Sequence, residues 1–328
     1  MPGWTARAGS AARVARGAVA VGLAAALAGG LPLRAVSAWR TDRARRSVLV
    51  ASRPRVRAVG AESQYANVIA QVGGRYVAVS AIMRNPNTDP HSFEASPSVA
   101  RAVAGAQLVV QNGLGYDTFM QTIEDALPSS AREVIVVQRL LHLPARTPNP
   151  HLWYAPRTMP LVARAVARDL STLDPAHRAY FWRNAARFDA SLGTWRHAIA
   201  ELRSRFAGAP VATTEPVADD LLQAAGLDDK TPFGFQRDVM NGVDPSPQDV
   251  ADVEQLLRAR KVRVLVYNRQ VTDTLTQSLL GIAKQARVPV VGVYETMPEP
   301  GFDYQRWMTA EVRALEEALA TGTSSPEL

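Results

Sequence analysis

From about residue 56 onward the chain alternates short apolar runs with amphipathic stretches of helical period, a pattern that predicts an α/β fold. Strands are expected at VRAVGA (56–61), YVAVSAIM (76–83), QLVVQNG (107–113) and EVIVVQ (133–138). Helices fall between them: SQYANVIAQVGG ends at a glycine pair, and ASPSVARAVAGA (95–106) opens with Ser96 as cap and Pro97 at the first helical position. The alternation resumes in the second half. PVATTE (210–215), VRVLVYN (262–268) and VPVVGVYE (288–295) read as strands among the helices PVADDLLQAAGL, SPQDVADVEQLLRARK and TDTLTQSLLGIAKQAR. A last helix runs through YQRWMTAEVRALEEALA, and TGTSSPEL (321–328) reads as a frayed, disordered tail.

Between the two α/β segments the period changes. MPLVARAVARDLSTL is helical, and after Asp174-Pro175 the residues Phe181, Ala185, Phe188, Leu192, Trp195, Ile199, Leu202 and Phe206 recur at alternating spacings of four and three. That is one apolar stripe on a continuous helix over 175–206, about 47 Å long at ~1.5 Å per residue. The expected organisation is therefore two lobes, each a mostly parallel sheet flanked by helices, joined by one long rigid linker helix. The boundaries are 56–174, 175–206 and 207–320. SPSVARAVAGAQLVVQN and SPQDVADVEQLLRARKVRVLVYN also share an order of Ser-Pro cap, helix, apolar strand and Asn, which supports two similar lobes.

Charge and cysteine content narrow the function. The 328 residues carry a net +7, but residues 1–57 hold eleven arginines against one acid. The remainder has 37 − 11 = 26 basic and 30 − 1 = 29 acidic residues, a net of −3, which excludes nucleic acid as the partner. The basic leader has the form of an export signal over 1–38. Arg7, Arg13 and Arg16 precede the apolar run GAVAVGLAAALAGGLPL (17–33), and AVSA follows with a cleavage point after Ala38. With no cysteine, an exported chain of this size must stand on its core, any metal site must use nitrogen and oxygen, and no lipid is expected on the N-terminus.

Two of the five histidines sit in matching surroundings: NTDPHSFEASP (87–97) and PNPHLWYAP (148–156) each place Pro-His-x-aromatic on a loop after a strand. Loops at the carboxyl ends of parallel strands are where α/β proteins hold ligands. The second segment offers Glu215 and Glu295 at comparable strand ends, with Glu299 and Asp303 as competitors for the last place. His91, His151, Glu215 and Glu295 would make an N₂O₂ set whose two carboxylates balance one divalent cation. His177 and His197 on the linker are expected to face solvent, and Trp153 to orient the His151 loop by packing.

The DPHSFE of 89–94, the NGLGYD of 112–117 and the NPHLW of 149–153 resemble the zinc/manganese solute-binding proteins of ABC metal importers, the adhesin-like cluster A-I. NGVDPSPQDV and the Pro-Val-Val-Gly strand before Glu295 extend the resemblance over about 56–320. The resemblance implies two lobes on a rigid helix, one metal held between them, delivery to a membrane permease, and no enzymatic activity. His91 and His151 match the first two ligands, Glu215 the third and Glu295 the fourth. Three departures stand out: Glu215 replaces the histidine of many zinc members, Ala155 replaces a frequent aspartate, and the histidine-rich loop is absent. The extra carboxylate leans the site toward Mn²⁺ over Zn²⁺. A monomer is expected. A siderophore or haem binder of similar fold would need a larger aromatic- or arginine-lined cleft. A periplasmic metallohydrolase would need an open coordination position and a general base.

Overall fold

The computed structural model describes residues 55–85, 93–298 and 301–328. In the first lobe, β1 (Val56–Glu62) runs directly into α1 (Ser63–Gly73), and β2 (Val77–Met83) follows. Next come α2 (Pro97–Gly105), β3 (Leu108–Gln111), α3 (Thr118–Ala126), β4 (Glu133–Val136) and the single turn α4 (Val137–Leu140). The His151 loop then leads into α5 (Thr158–Leu173). The four strands are parallel in the order β2-β1-β3-β4. The fully buried run Leu108–Gln111 shows why: with helices on both faces, a strand has no solvent side and loses its polar alternation.

The linker is two helices rather than the one expected. After a short turn at Pro175–His177, α6 (Arg178–Ser191) and α7 (Gly193–Phe206) are separated at Leu192. Leu192 donates to the Asp189 carbonyl at 3.3 Å and accepts from Arg196 N at 3.0 Å, so the two helices abut with a one-residue break. Gly193 follows immediately, and glycine has the weakest helix preference after proline. The apolar stripe passes through the break intact. Phe181, Ala185, Phe188, Leu192, Trp195, Ile199 and Leu202 are all buried in a core cluster that draws residues from both lobes. Trp195 is fully buried and packs edge-on to Tyr304, with ring centroids 5.8 Å apart. Trp195→Ala should cost about 3–5 kcal/mol of stability, read from urea denaturation midpoints. A loss near zero would mean that the linker does not anchor the common core.

The second lobe repeats the plan with β5 (Pro210–Thr213), α8 (Asp219–Ala224), β6 (Asp228–Asp229), α9 (Phe233–Met240) and α10 (Pro247–Arg258). β7 (Val264–Asn268), α11 (Thr274–Ala286), β8 (Val290–Val293) and α12 (Tyr304–Thr321) complete it. Its sheet, again parallel, has the order β6-β5-β7-β8. Each sheet presents one face to the shared core and the other to a cluster of its own. Residues Pro54–Leu328 form one compact unit.

The expected disordered tail is docked instead. Ser325 bridges Val291 in parallel register, donating to Val290 O at 2.8 Å and accepting from Gly292 N at 2.9 Å. The approach needs a glycine, because a Cβ on Gly292 would strike the Pro326 carbonyl. These are backbone bonds to a sheet edge, so the polar composition of TGTSSPEL carries no sign of them. The leader 1–38 lies outside the described residues, among which no helix is long and apolar enough to cross a membrane.

Candidate metal centre

Both sheets direct the carboxyl ends of their strands at the same place, and the polar residues there are buried. His151 follows β4 and α4, Glu215 follows β5 and Glu295 follows β8; they are 0%, 2% and 0% exposed. His91 and Glu299 lie outside the described residues. Asp303 is engaged elsewhere, since its side chain accepts from Arg306 N and caps α12.

His151 and Glu295 converge, with Nε2 3.2 Å from Oε2. The far side of the imidazole is fixed by Asn149. The Asn149 amide donates to Pro216 O at 2.7 Å, so its Oδ1 is turned to accept from His151 N at 3.0 Å and from Nδ1 at 2.8 Å. Nδ1 therefore carries a proton, and Nε2 faces the Glu295 carboxylate, with its lone pair toward it whenever the ring is neutral. Two acceptors facing each other at that distance call for a cation, either a proton on Nε2 or a metal held by both.

Glu215 reaches this pair through Asn268, whose amide donates to Glu215 Oε1 at 3.0 Å and to Glu295 Oε1 at 2.7 Å. Tyr116 OH donates to Glu295 Oε2 at 2.9 Å from the first lobe. Gln270 Oε1 accepts from the backbone N of Glu295 at 2.6 Å and of Thr296 at 2.8 Å, fixing the strand end. Gln64 donates to Glu295 O at 3.1 Å across the lobes. Among the described residues no three His, Asp or Glu side chains are already arranged around one point. The structure brings His151 and Glu295 together and tethers Glu215 to them by one amide.

Tyr116 owes its place to the NGLG turn, where Gly113, Leu114 and Gly115 have φ of 85°, 58° and 80°. Glycine occupies two of these left-handed positions, the conformation it enters without steric cost. Asp117 pins the turn, accepting from Asn112 N at 2.5 Å and Gly113 N at 2.9 Å. Beneath it Glu62 is fully buried. Burial and the adjacent Asp117 carboxylate raise Glu62 well above the usual carboxyl range, so it holds its proton while Asp117 accepts the backbone bonds. A smaller group of acids lies beside the Glu215 segment. Burial, then Asp229 and Asp220, push Asp219 up to about 7.

Trp153 behaves as expected: it is fully buried and stands edge-on to His151, with centroids 5.5 Å apart. His197 is exposed, its side chain 74% accessible and 3.2 Å from Glu201. His177 is not exposed in the same way. It stacks on Tyr76 with centroids 3.6 Å apart and bonds Asp174 Oδ2 at 2.6 Å.

Two like lobes with donors at facing strand ends make this a two-lobed solute-binding protein in architecture. The model of the family described as zinc-uptake complex component A, periplasmic, matches residues 59–318, and the chain belongs to that family. The manganese-binding lipoprotein MntA of Bacillus subtilis is 23% identical over 239 residues, which cover 68% of this chain and 74% of MntA. The manganese ABC transporter substrate-binding lipoprotein PsaA of Streptococcus mitis is 20% identical over 292 residues, 82% of this chain and 91% of PsaA. The periplasmic zinc-binding protein TroA from Treponema pallidum shares the fold with a TM-score of 0.68 at 19% identity, over 81% of this chain and 99% of that one.

Proposed function

We propose that this protein captures one divalent transition-metal ion between its lobes and delivers it to the membrane permease of an ABC importer. The ligands on this reading are His91, His151, Glu215 and Glu295. The observation that carries it is the His151–Glu295 pair, in which Asn149 aims the Nε2 lone pair at a carboxylate 3.2 Å away. A divalent ion satisfies both groups at once, and a proton stands in for it when metal is absent. The chain acts as a receptor and not a catalyst, because four protein donors leave no coordination position for a reactive water. The burial of His151, Glu215 and Glu295 suits a bare ion better than a haem or siderophore, which would need an open cleft.

Two carboxylates with two imidazoles lean the site toward Mn²⁺, although Zn²⁺ binds more tightly to any such donor set in vitro. The protein works outside the cytoplasm as a monomer. No lipid can be joined through a thioether anywhere in its 328 residues, which contain no cysteine. The test is to strip the purified protein, reload it from an equimolar Mn/Zn/Fe mixture and measure metal content by mass spectrometry. One equivalent of a single divalent ion is expected. No bound metal from any of the three would end the proposal.

A further inference from the structure

His151 belongs by sequence to the first lobe, yet the bonds around it lead to the second. Asn149 donates to Pro216 O at 2.7 Å, just beyond β5. Tyr154 OH enters the end of β8, donating to Tyr294 O at 2.7 Å while Tyr294 N approaches it at 3.2 Å. Tyr304 OH, at the start of α12, donates to Trp153 O at 2.5 Å. Two turns further along α12, Glu311 is fully buried. Its Oε1 lies 3.0 Å from Tyr154 OH and accepts from Tyr294 N at 3.2 Å and Trp307 Nε1 at 2.7 Å. One carboxyl group thus touches both ligand-bearing segments, three residues beyond His151 and one before Glu295. First-lobe contacts to the loop include the Asn112 amide on Pro150 O at 2.8 Å and the rings of Tyr65 and Tyr116 against Trp153.

We infer that Glu311 and Tyr304 are positioning residues for metal capture, which fasten the His151 segment to the second lobe so that His151 and Glu295 form a half-site of fixed spacing. This inference rests on the metal-receptor reading above. A shift between the lobes would then leave the His151–Glu295 pair together and act on the first-lobe contacts, such as Tyr116 OH on Glu295. A buried group that fixes ligand geometry without touching the ion behaves as an outer-shell residue, whose loss costs about 10–100-fold in metal affinity.

The experiment compares wild type, Glu311→Ala, Glu311→Gln and Tyr154→Phe by Zn²⁺ and Mn²⁺ competition titration and by the visible absorption of the Co²⁺-loaded protein. Glu311→Ala should bind about 10–100-fold more weakly, with altered Co²⁺ bands. Glu311→Gln keeps the Oε1 acceptor and should restore both affinity and spectrum. Tyr154→Phe removes a single hydroxyl and should show the same direction as Glu311→Ala, which keeps the test open should the alanine variant fail to fold. Wild-type affinity and an unchanged Co²⁺ spectrum in Tyr154→Phe, or in folded Glu311→Ala, would overturn the inference even if the melting temperature fell. Wild-type protein that takes up no metal would instead overturn the receptor reading.

Discussion

Glu295→Gln is expected to abolish tight metal binding, by more than the ~10–100-fold typical of an outer-shell change, while leaving a protein at least as stable as the parent. The Glu295 side chain is fully buried and its oxygens are met by His151 Nε2, Tyr116 OH and the Asn268 amide. In the amide variant, Oε1 still accepts from Asn268 and Nε2 donates to the His151 lone pair. Only Tyr116 must turn its hydroxyl. The buried negative charge that needed a cation is gone, so no proton or metal is required to satisfy the imidazole. Isothermal titration with Mn²⁺ and Zn²⁺, alongside melting of the metal-free proteins, reads both halves. Retention of wild-type affinity would remove Glu295 from the ligand set. Glu295→Ala is a poorer probe, because it leaves His151, Tyr116 and Asn268 around a void and mixes stability with affinity.

How much of this centre can be read from the sequence depends on the kind of signal each part leaves. The linker stripe is legible because eight apolar positions obey the helical period; seven of them are buried, and Phe206, the last, is half-buried against the same core. The break at Leu192 is not, because Leu192 itself keeps the period and the exposed Gly193 leaves the stripe intact. The Ser-Pro motifs mark helix starts correctly at Pro97 and Pro247, yet only Ser246 caps with its side chain, accepting from Asp249 N at 3.1 Å. Ser96 instead bonds Ser98 Oγ at 2.7 Å. Helix α9 leaves little signal, because FGFQRDVM is short and carries no side-chain cap.

The supporting polar residues divide in the same way. Asn149 sits inside the Pro-His motif, but nothing in a sequence says that its amide faces Pro216. Asn112 and Asn268 are the missed signal with the clearest trace, since each ends the strand in the Ser-Pro-helix-strand echo of the two halves. In the structure Asn112 holds Pro150, next to His151, and Asn268 holds both glutamates. The repeat therefore marks positions that hold the candidate site's strand ends as well as a fold. Glu311 left no such trace, because an acidic residue on an amphipathic helix reads as solvated and only packing shows this one to be buried.

That burial gives the second large expectation, a loss of stability as pH rises. Desolvation is the main cause that pushes Glu311 up to about 8 from an ordinary 4.5, against the bonds from Tyr154, Trp307 and Tyr294 N that favour its charged form. A carboxyl that binds its proton more tightly when folded gives stability that is fully present below its unfolded value, near 4.5. That stability fades as pH climbs and is lost once pH passes about 8. The interval corresponds to a contribution on the order of 5 kcal/mol. Glu62, Asp117 and the Asp219, Asp220 and Asp229 group are raised by burial as well and act in the same direction, so Glu311 is one of several contributors to the wild-type slope. Glu311→Gln mimics the protonated group and cannot ionise. Its metal-free melting temperature should therefore fall less between pH 5 and pH 8.5 than that of the wild type, with the two curves meeting at the acid end. Parallel curves over that range would show that Glu311 does not titrate there, and hence that its carboxyl is charged where it joins Tyr154 to the β8 strand end.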